Sequence, residues 1–519
     1  MIWLVYLIGA LLALILLKDL SSIFRYYRYY KQQGISLRYV PVFGMLRFFI
    51  TTDKKDGMAA FRSLAQSMEK SQDLIAVNSL RTNITFFLKS GEIIKEFCEK
   101  DKEFCDRKLP LQLPIKIGFL LKSGKHTLKQ RRIFSHFFIQ KHLDKITPMI
   151  EKITIQKLEL VKKELLRLSG GDSKIFQKVN LLEYWKDLFS ELINSIMFGV
   201  DDSPKVDGMS IPNAVQYLIH KTTTEINNHP LNLLFLMIPA KLGLLPQYKP
   251  LKLLKGKIEK ACLEMYKKRT RLSPRKRSCN LVDLMVEHNL NCPEDEILSE
   301  EMIIGNLFLF QTAGMDTSRQ ASITTIHHLS KNPDLSSKLP SEVMKDLFKN
   351  GRKSIIGDLE SLDQSPFLNN FLTEALRIFG PVGLCFPRVA KKDLKLGNYK
   401  IYKGDGLIVP LALPHFDPEK FDNPNKFKVD RLADSRTLAN ATRSGSYLPF
   451  SSGNRGCIGK YLAQIFLKVG LSYFIKEFEV AEVQGFDPKM EFSFTYGVKD
   501  CWVKLRPRNT GTVGQNDSD

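Results

Sequence analysis

The chain has no Cys-x-x-Cys pair. Its cysteines, Cys98, Cys105, Cys262, Cys279, Cys292, Cys385, Cys457 and Cys501, are scattered along 519 residues. In a chain of this size that argues against a disulfide framework and suits a reducing compartment. No second Cys or His stands at ligand spacing from Cys457, which excludes a zinc module there. There is no internal repeat. A formal charge of +22 comes with no nucleic-acid module, and the basic residues are spread along the chain. The densest run, Lys267-Lys268-Arg269-Thr270-Arg271 through Arg275-Lys276-Arg277, brackets Ser273-Pro274 and reads as a solvated loop. Anionic lipid headgroups or an acidic protein surface suit this charge better than nucleic acid.

The composition is that of a globular protein with ample core: 44% apolar and 25% charged residues. Met1 to Leu17 carries no charge, and Lys18, Arg25, Arg28 and Lys31 follow it. The run lies near the lower limit for a membrane-spanning helix, which needs about 20 residues. No positive n-region precedes it, so it reads as a permanent anchor instead of a cleaved signal, with the body of the chain cytosolic. Residues 1–20 are assigned to the anchor, 21–45 to a juxtamembrane linker with a Pro/Gly hinge, and 46–508 to one large domain. The polar residues 509–519 read as a disordered tail.

The chemistry centres on Pro449-Phe450-Ser451-Ser452-Gly453-Asn454-Arg455-Gly456-Cys457-Ile458-Gly459. Gly453, Gly456 and Gly459 let the backbone turn tightly and let a flat group lie against it. A helix is predicted from Lys460. A thiolate just before a helix N-terminus has a lowered pKa and is a strong ligand. Arg455 adds a cation that can pair with an anionic group. A phosphate loop is excluded: five residues separate Gly453 from Gly459-Lys460 where that motif has four, and Tyr461 stands where Ser or Thr is required.

Upstream, Ser299-Glu300-Glu301 opens a helix that proline ends at Asn332-Pro333. At about 1.5 Å per residue it is long enough to cross a whole domain. Ile303 to Phe310 is apolar nearly all round and must be buried. Within the helix lies Ala313-Gly314-Met315-Asp316-Thr317-Ser318, and an acid–alcohol pair there is costly unless polar groups surround it. Thr317 can bond back to the Ala313 carbonyl or leave it free. Glu374 and Arg377 share a helix face three residues apart and, if buried, demand a third partner.

Phe-x-x-Gly-x-Arg-x-Cys-x-Gly at 450–459 resembles the haem-thiolate signature of the cytochrome P450 family at all five fixed positions. Residues 313–318 resemble its acid–alcohol motif, where the family's helix is opened to make a groove for dioxygen. Glu374-x-x-Arg377 resembles its Glu-x-x-Arg motif. Phe427-Lys428-Val429-Asp430-Arg431-Leu432 resembles its Phe-x-Pro-Glu-Arg-Phe more loosely: Phe427 and Arg431 are kept, while Val429, Asp430 and Leu432 depart. Gly124 to Arg132 resembles the Trp-x-x-x-Arg helix, with Arg131 kept and Thr127 in the tryptophan's place. Arg388 matches a second propionate-binding arginine, Pro381 to Pro387 the turn above the haem, and Phe492 to Gly497 a hairpin tip at the pocket wall. The apolar loop around Pro110, Pro114 and Gly118 and the segment Leu231 to Ile238 would close the pocket.

The resemblance, spanning residues 35 to 507, implies a mainly α fold with small antiparallel β-sheets and one large domain behind an N-terminal transmembrane helix. It implies haem b held by Cys457 as axial iron ligand. Arg131, Arg388 and Arg455 would lie on the propionates, with Phe450, Gly453, Gly459, Ala313 and Gly314 against the ring. Thr317 and Asp316 would be catalytic, and Glu374, Arg377 and Arg431 structural. The implied activity is O2-dependent monooxygenation of a lipophilic molecule. No flavin or nicotinamide site is present, so electrons would come from an NADPH-cytochrome P450 reductase, with cytochrome b5 as a further donor, at the endoplasmic reticulum membrane. Two alternatives stand beside it. One is a peroxide isomerase or dehydratase without reductase, which the intact Asp316-Thr317 opposes. The other is a non-catalytic haem-binding sensor or steroid binder.

Overall fold

The computed structural model describes residues 2–39, 73–78, 83–100, 103, 118–120, 125–199, 204–228, 249–273, 277, 280–349, 352, 354–355, 359–492 and 495–508. Residues 56–70, whose sequence has helical spacing, most of the loop around Pro110 and Pro114, the segment 231–238 and the tail 509–519 lie outside the described residues.

A long central helix, Glu300–Ser330, organises the larger core. Ser299 caps its first turn by accepting from Met302 N. Helices Leu181–Phe198 and Lys460–Glu477 pack on it. The helix after Cys457 is less amphipathic than its first residues suggest. From Leu462 to Ile475 most of its side chains are buried, because Gln140–Leu168 covers the side turned from the central helix.

Local signals are met where the physics is local. Asn180 Oδ1 accepts from Leu182 N at the start of Leu181–Phe198, and Gly199 at φ +94° stops it. Two helices carry proline. Gln140–Leu168 begins eight residues before Pro148 and runs through it. Ile211–Asn228 is a helix within a stretch that Pro204, Pro212, Pro230, Pro239 and Pro246 punctuate in the sequence. Pro212 lies in its first turn, where a missing N–H costs nothing.

The small sheets require one correction. The largest is mixed, not antiparallel, and orders its strands Ser36–Arg38, Leu74–Val77, Thr85–Leu88, Gly406–Val409 and Cys385–Val389. The strands Leu74–Val77 and Thr85–Leu88 pair antiparallel, with Ile75 opposite Phe87. Strands from distant segments then join both edges of that pair in parallel, Ser36 opposite Ile75 and Gly406 opposite Thr85. Long connections permit this where a short turn cannot. A second sheet, Phe478–Glu482, Trp502–Pro507 and Gln177–Asn180, is antiparallel.

The N-terminal helix runs unbroken from Ile2 to Tyr29, across the boundary expected at residue 20. Its second half docks on the mixed sheet, with Asp19, Ser22, Tyr26 and Tyr30 buried. Asp19 accepts from Asn78 Nδ2 at 2.8 Å and Ser22 donates to Asn83 O at 2.9 Å. Among the described residues, no helix is long and apolar enough to cross a membrane.

Candidate functional site

The turn that carries Cys457 is closed by its own backbone. Cys457 N donates to Phe450 O at 2.8 Å, and Gly456 N to Gly453 O at 3.0 Å. Gly453 sits at φ +67°, where a Cβ would stand 2.5 Å from Cys98 O, so glycine is required. Helix Gly91–Glu99 therefore lies directly against the turn, and Cys98 Sγ is 3.4 Å from Ser451 Oγ.

Cys457 retains exposed surface although protein surrounds it densely enough for burial to dominate its titration. Both hold for a side chain that faces an internal space instead of the outer surface. Burial pushes the thiol up, against the Gly459 N–H and the charges of Arg131 and Lys460. This reverses the lowered pKa expected from the loop position alone. Desolvation exceeds those favourable contacts, so an ion bound to the sulfur would have to supply the deprotonation.

Two arginines engage at this turn, and a third lies against the helix Gly91–Glu99 that packs on it. Arg131 Nη2 donates to Gly456 O, the carbonyl next to Cys457. Arg455, nearly buried, donates to Leu120 O at 2.8 Å and Phe119 O at 3.2 Å. Arg388, on the strand Cys385–Val389, is 1% exposed with its guanidinium 4.9 Å from the Phe97 ring centroid. One turn before Arg131 on the same helix face, Thr127 is buried and its Oγ1 has no hydrogen-bond partner among the described residues. An orphaned buried hydroxyl is costly, and here it belongs to a set of donors that suits anionic carboxylates. A sulfur facing an internal space, with cationic and hydroxyl donors around it, fits an iron porphyrin with its two propionates.

The acid–alcohol segment lies in the middle of the central helix. Thr317 Oγ1 donates to Ala313 O at 2.5 Å, so the hydroxyl closes on its own helix. The opening expected at 313–318 is not there: the segment is helical throughout. Gly314 admits Ile193, whose Cδ1 would be 2.8 Å from an added Cβ. Asp316 is engaged on both oxygens, Oδ1 by Arg319 Nη2 at 2.7 Å and Oδ2 by Thr495 Oγ1. Neither partner was found from the sequence. Arg319 carried a signal, a second full charge three residues from Asp316 in the same buried helix; Thr495 was placed only within the hairpin tip at the pocket wall.

On helix Pro366–Phe379, Glu374 and Arg377 make a bidentate pair, both contacts 2.8 Å, with both residues buried. Arg431 Nε and Lys428 N also reach Glu374 Oε1, at 3.0 and 3.1 Å. Sequence reasoning missed His415. Its backbone oxygen accepts from Arg377 Nη1 at 2.6 Å, and its ring bridges Arg377 O to Leu448 N in the approach to the turn.

A family model described as "Cytochrome P450" matches residues 37–500. The chain is similar to "Probable cytochrome P450 6a13" of Drosophila melanogaster, 29% identical over 41% of this chain and 42% of that one. It is also similar to "Cytochrome P450 4V2" of Homo sapiens, 31% identical over 42% of this chain and 40% of that one. "Putative cytochrome P450 CYP13A5" of Caenorhabditis elegans aligns more widely, 24% identical over 82% of this chain and 85% of that one. In the first two matches the chain spans about two fifths of the relative's own length.

Proposed function

The chain belongs to the cytochrome P450 family, and from that premise we propose that it is a haem-thiolate monooxygenase acting on a lipophilic small molecule. The observation that carries this reading is the Cys457 sulfur turned to an internal space, with Arg455 in its turn, Arg131 bonded to Gly456 O and the buried Thr127 hydroxyl one helical turn before Arg131. Family membership brings haem b, which supplies oxygen activation when bound with thiolate as axial ligand.

In this reading Cys457 holds the iron, and the arginines neutralise the propionates through charge-assisted hydrogen bonds. Gly453 and Gly459 keep side chains out of the turn, and Phe450 packs beside it. Ala313 and Gly314 keep the facing helix surface low. Thr317 and Asp316 supply positioned proton-transfer groups. The Glu374–Arg377–Arg431 knot holds the turn in register. Electrons come from an external NADPH-dependent reductase, with cytochrome b5 as an additional donor; the basic surface suits acidic partners. The uncharged run Met1–Leu17 followed by Lys18, Arg25 and Arg28 supports anchorage in the endoplasmic reticulum membrane with the body in the cytosol.

The deciding experiment is spectroscopic. The reduced protein under carbon monoxide is expected to give the red-shifted thiolate band, and Cys457→Ala to abolish it. Persistence of that band in the variant excludes Cys457 as ligand. With NADPH and reductase, O2 consumption separates the monooxygenase from a reductase-independent isomerase and from a non-catalytic binder.

A further inference from the structure

Asn306 is the one polar side chain in the run Ile303 to Phe310, and it is fully buried. A buried amide is costly unless it is hydrogen-bonded. Here each end has a partner: Phe119 N donates to Asn306 Oδ1 at 3.2 Å, and Asn306 Nδ2 donates to Gln130 Oε1 at 3.0 Å. The first bond fixes which way the amide faces, because a backbone N–H can only donate. Gln130 stands next to Arg131 on helix Lys125–Ser135, and Phe119 lies in the turn Gly118–Leu120. The same turn receives Arg455, whose Nη2 donates to Leu120 O at 2.8 Å and to Phe119 O at 3.2 Å. Asn306 therefore holds this short segment by its N–H, and Arg455 meets it at its carbonyls.

We propose that Asn306 is a positioning residue for Arg455, setting where that guanidinium points through the turn Gly118–Leu120. The proposal rests on the haem-thiolate reading, in which Arg455 meets a propionate. A guanidinium nitrogen committed to two main-chain carbonyls goes where those carbonyls go. Packing holds the Phe119 ring, whose centroid is 5.8 Å from that of Phe134 and 6.1 Å from that of Phe310. A packed ring alone leaves the peptide planes beside it free to tilt; the bond from Phe119 N to Asn306 removes that freedom. Gly118, at φ +32°, lies so close to the central helix that an added Cβ would overlap Asn306 Oδ1 and stand 2.9 Å from Gly305 O. The turn is thus seated on the helix at Asn306. At the other end of the amide, Gln130 adjoins Arg131, whose Nη2 donates to Gly456 O. One buried amide in the central helix thereby braces the segments that carry both arginine contacts of the Cys457 turn.

The test uses the full chain and haem. Asn306→Leu exchanges one neutral side chain for another of similar size, so no charge is added or removed near the iron. The dissociation constant of ferric haem is expected to rise on the order of tenfold, the scale of one hydrogen bond to a charged group. The reduction potential should become more negative, because a propionate less well neutralised favours the ferric state. Resonance Raman spectroscopy should show a shifted propionate bending band. A role confined to fold stability would move neither the potential nor that band. Gly118→Ala leaves Asn306 in place and pushes the same turn away from it. It should change all three readouts in the same direction, which covers the case that the leucine variant does not fold. Wild-type haem affinity in a folded variant, or weakened affinity with unchanged potential and propionate band, overturns the proposal alone. A wild-type protein without the reduced carbonyl band overturns the haem-thiolate reading, and the proposal with it.

Discussion

Arg431 Nε donates to Glu374 Oε1 at 3.0 Å, although three of the residues around Arg431 depart from the motif that it resembles. The remaining guanidinium hydrogens go to main chain: Nη1 to Asp422 O at 2.6 Å, Nη2 to Lys426 O at 2.9 Å and Asn423 O at 3.2 Å. Backbone carbonyls do not depend on side-chain identity, so Val429, Asp430 and Leu432 can vary around it. Glu374 is fully buried, and removing one of its two arginines leaves a buried charge undercompensated. Arg431→Ala is expected to destabilise the fold by about 3–5 kcal/mol. Chemical unfolding with haem retention as a second signal checks it, and a loss below about 1 kcal/mol contradicts it.

Much of this site was legible because its contacts are local. Glu374 and Arg377 lie one helical turn apart, and the Phe450–Gly459 turn closes on itself through Cys457 N and Phe450 O. Asp316 could be named, but not its partner from the other end of the chain: Thr495 lies 179 residues after it. Periodicity has no access to such pairings. The direction of the Cys457 pKa was misjudged for the same reason, since desolvation comes from packing that the sequence does not display. Pro148 reads as a helix start although the helix begins at Gln140, and Pro212 conceals the helix Ile211–Asn228, because proline is tolerated at both sites. The parallel strand pairs, Ser36 with Ile75 and Gly406 with Thr85, carry no short-range turn signal at all.

Gly453→Ala makes a sharper test of the turn than removal of the thiol does. The added methyl would stand 2.5 Å from Cys98 O, and alanine is strained at φ +67° besides. Neither neighbour is a flexible side chain, so the turn or helix Gly91–Glu99 must shift. We expect haem affinity to fall by at least tenfold while far-ultraviolet circular dichroism changes little. Gly470→Ala is the control, since nothing lies within 4 Å of its added Cβ. Equal haem retention in the two variants contradicts the prediction.

His415 ties this region to pH. Leu448 N donates to its Nε2 at 2.9 Å, so Nδ1 carries the proton and donates to Arg377 O at 3.0 Å. A second proton on Nε2 would face the Leu448 N–H. Burial, the largest cause, with the Arg377 charge beside it, lowers the His415 pKa to about 4. The unfolded chain, with the ordinary value of 6.5, gains a proton first, so the contribution is complete above 6.5 and is lost as pH falls toward 4. Between pH 7.5 and 5 that loss is about 2 kcal/mol. His328, likewise lowered to about 4 by burial, acts in the same window. Denaturant unfolding at both pH values, with His415→Asn subtracted, isolates His415; identical pH dependence in variant and wild type contradicts its role.

The N-terminal helix should owe its docking to Asp405. That carboxylate is fully buried and accepts from Tyr30 OH, from Arg25 Nε at 3.1 Å and from Tyr402 N at 2.9 Å. Tyr30 is fully buried as well, its ring centroid 4.9 Å from that of Phe86 on the mixed sheet. Asp405→Ala strands a buried phenol and a partly buried guanidinium, at a cost of about 2 kcal/mol or more. The consequence is local, because residues 25 and 30 are held through this one carboxylate while the central helix packs elsewhere. Amide hydrogen exchange should accelerate over residues 19–30 and remain unchanged over 300–330. Tyr30→Phe removes one hydroxyl and keeps the ring, so its effect should be in the same direction and smaller, about 1 kcal/mol. If exchange over 19–30 is unaltered in Asp405→Ala, the helix is held by its apolar contacts with the sheet alone, and the polar cluster contributes nothing to docking.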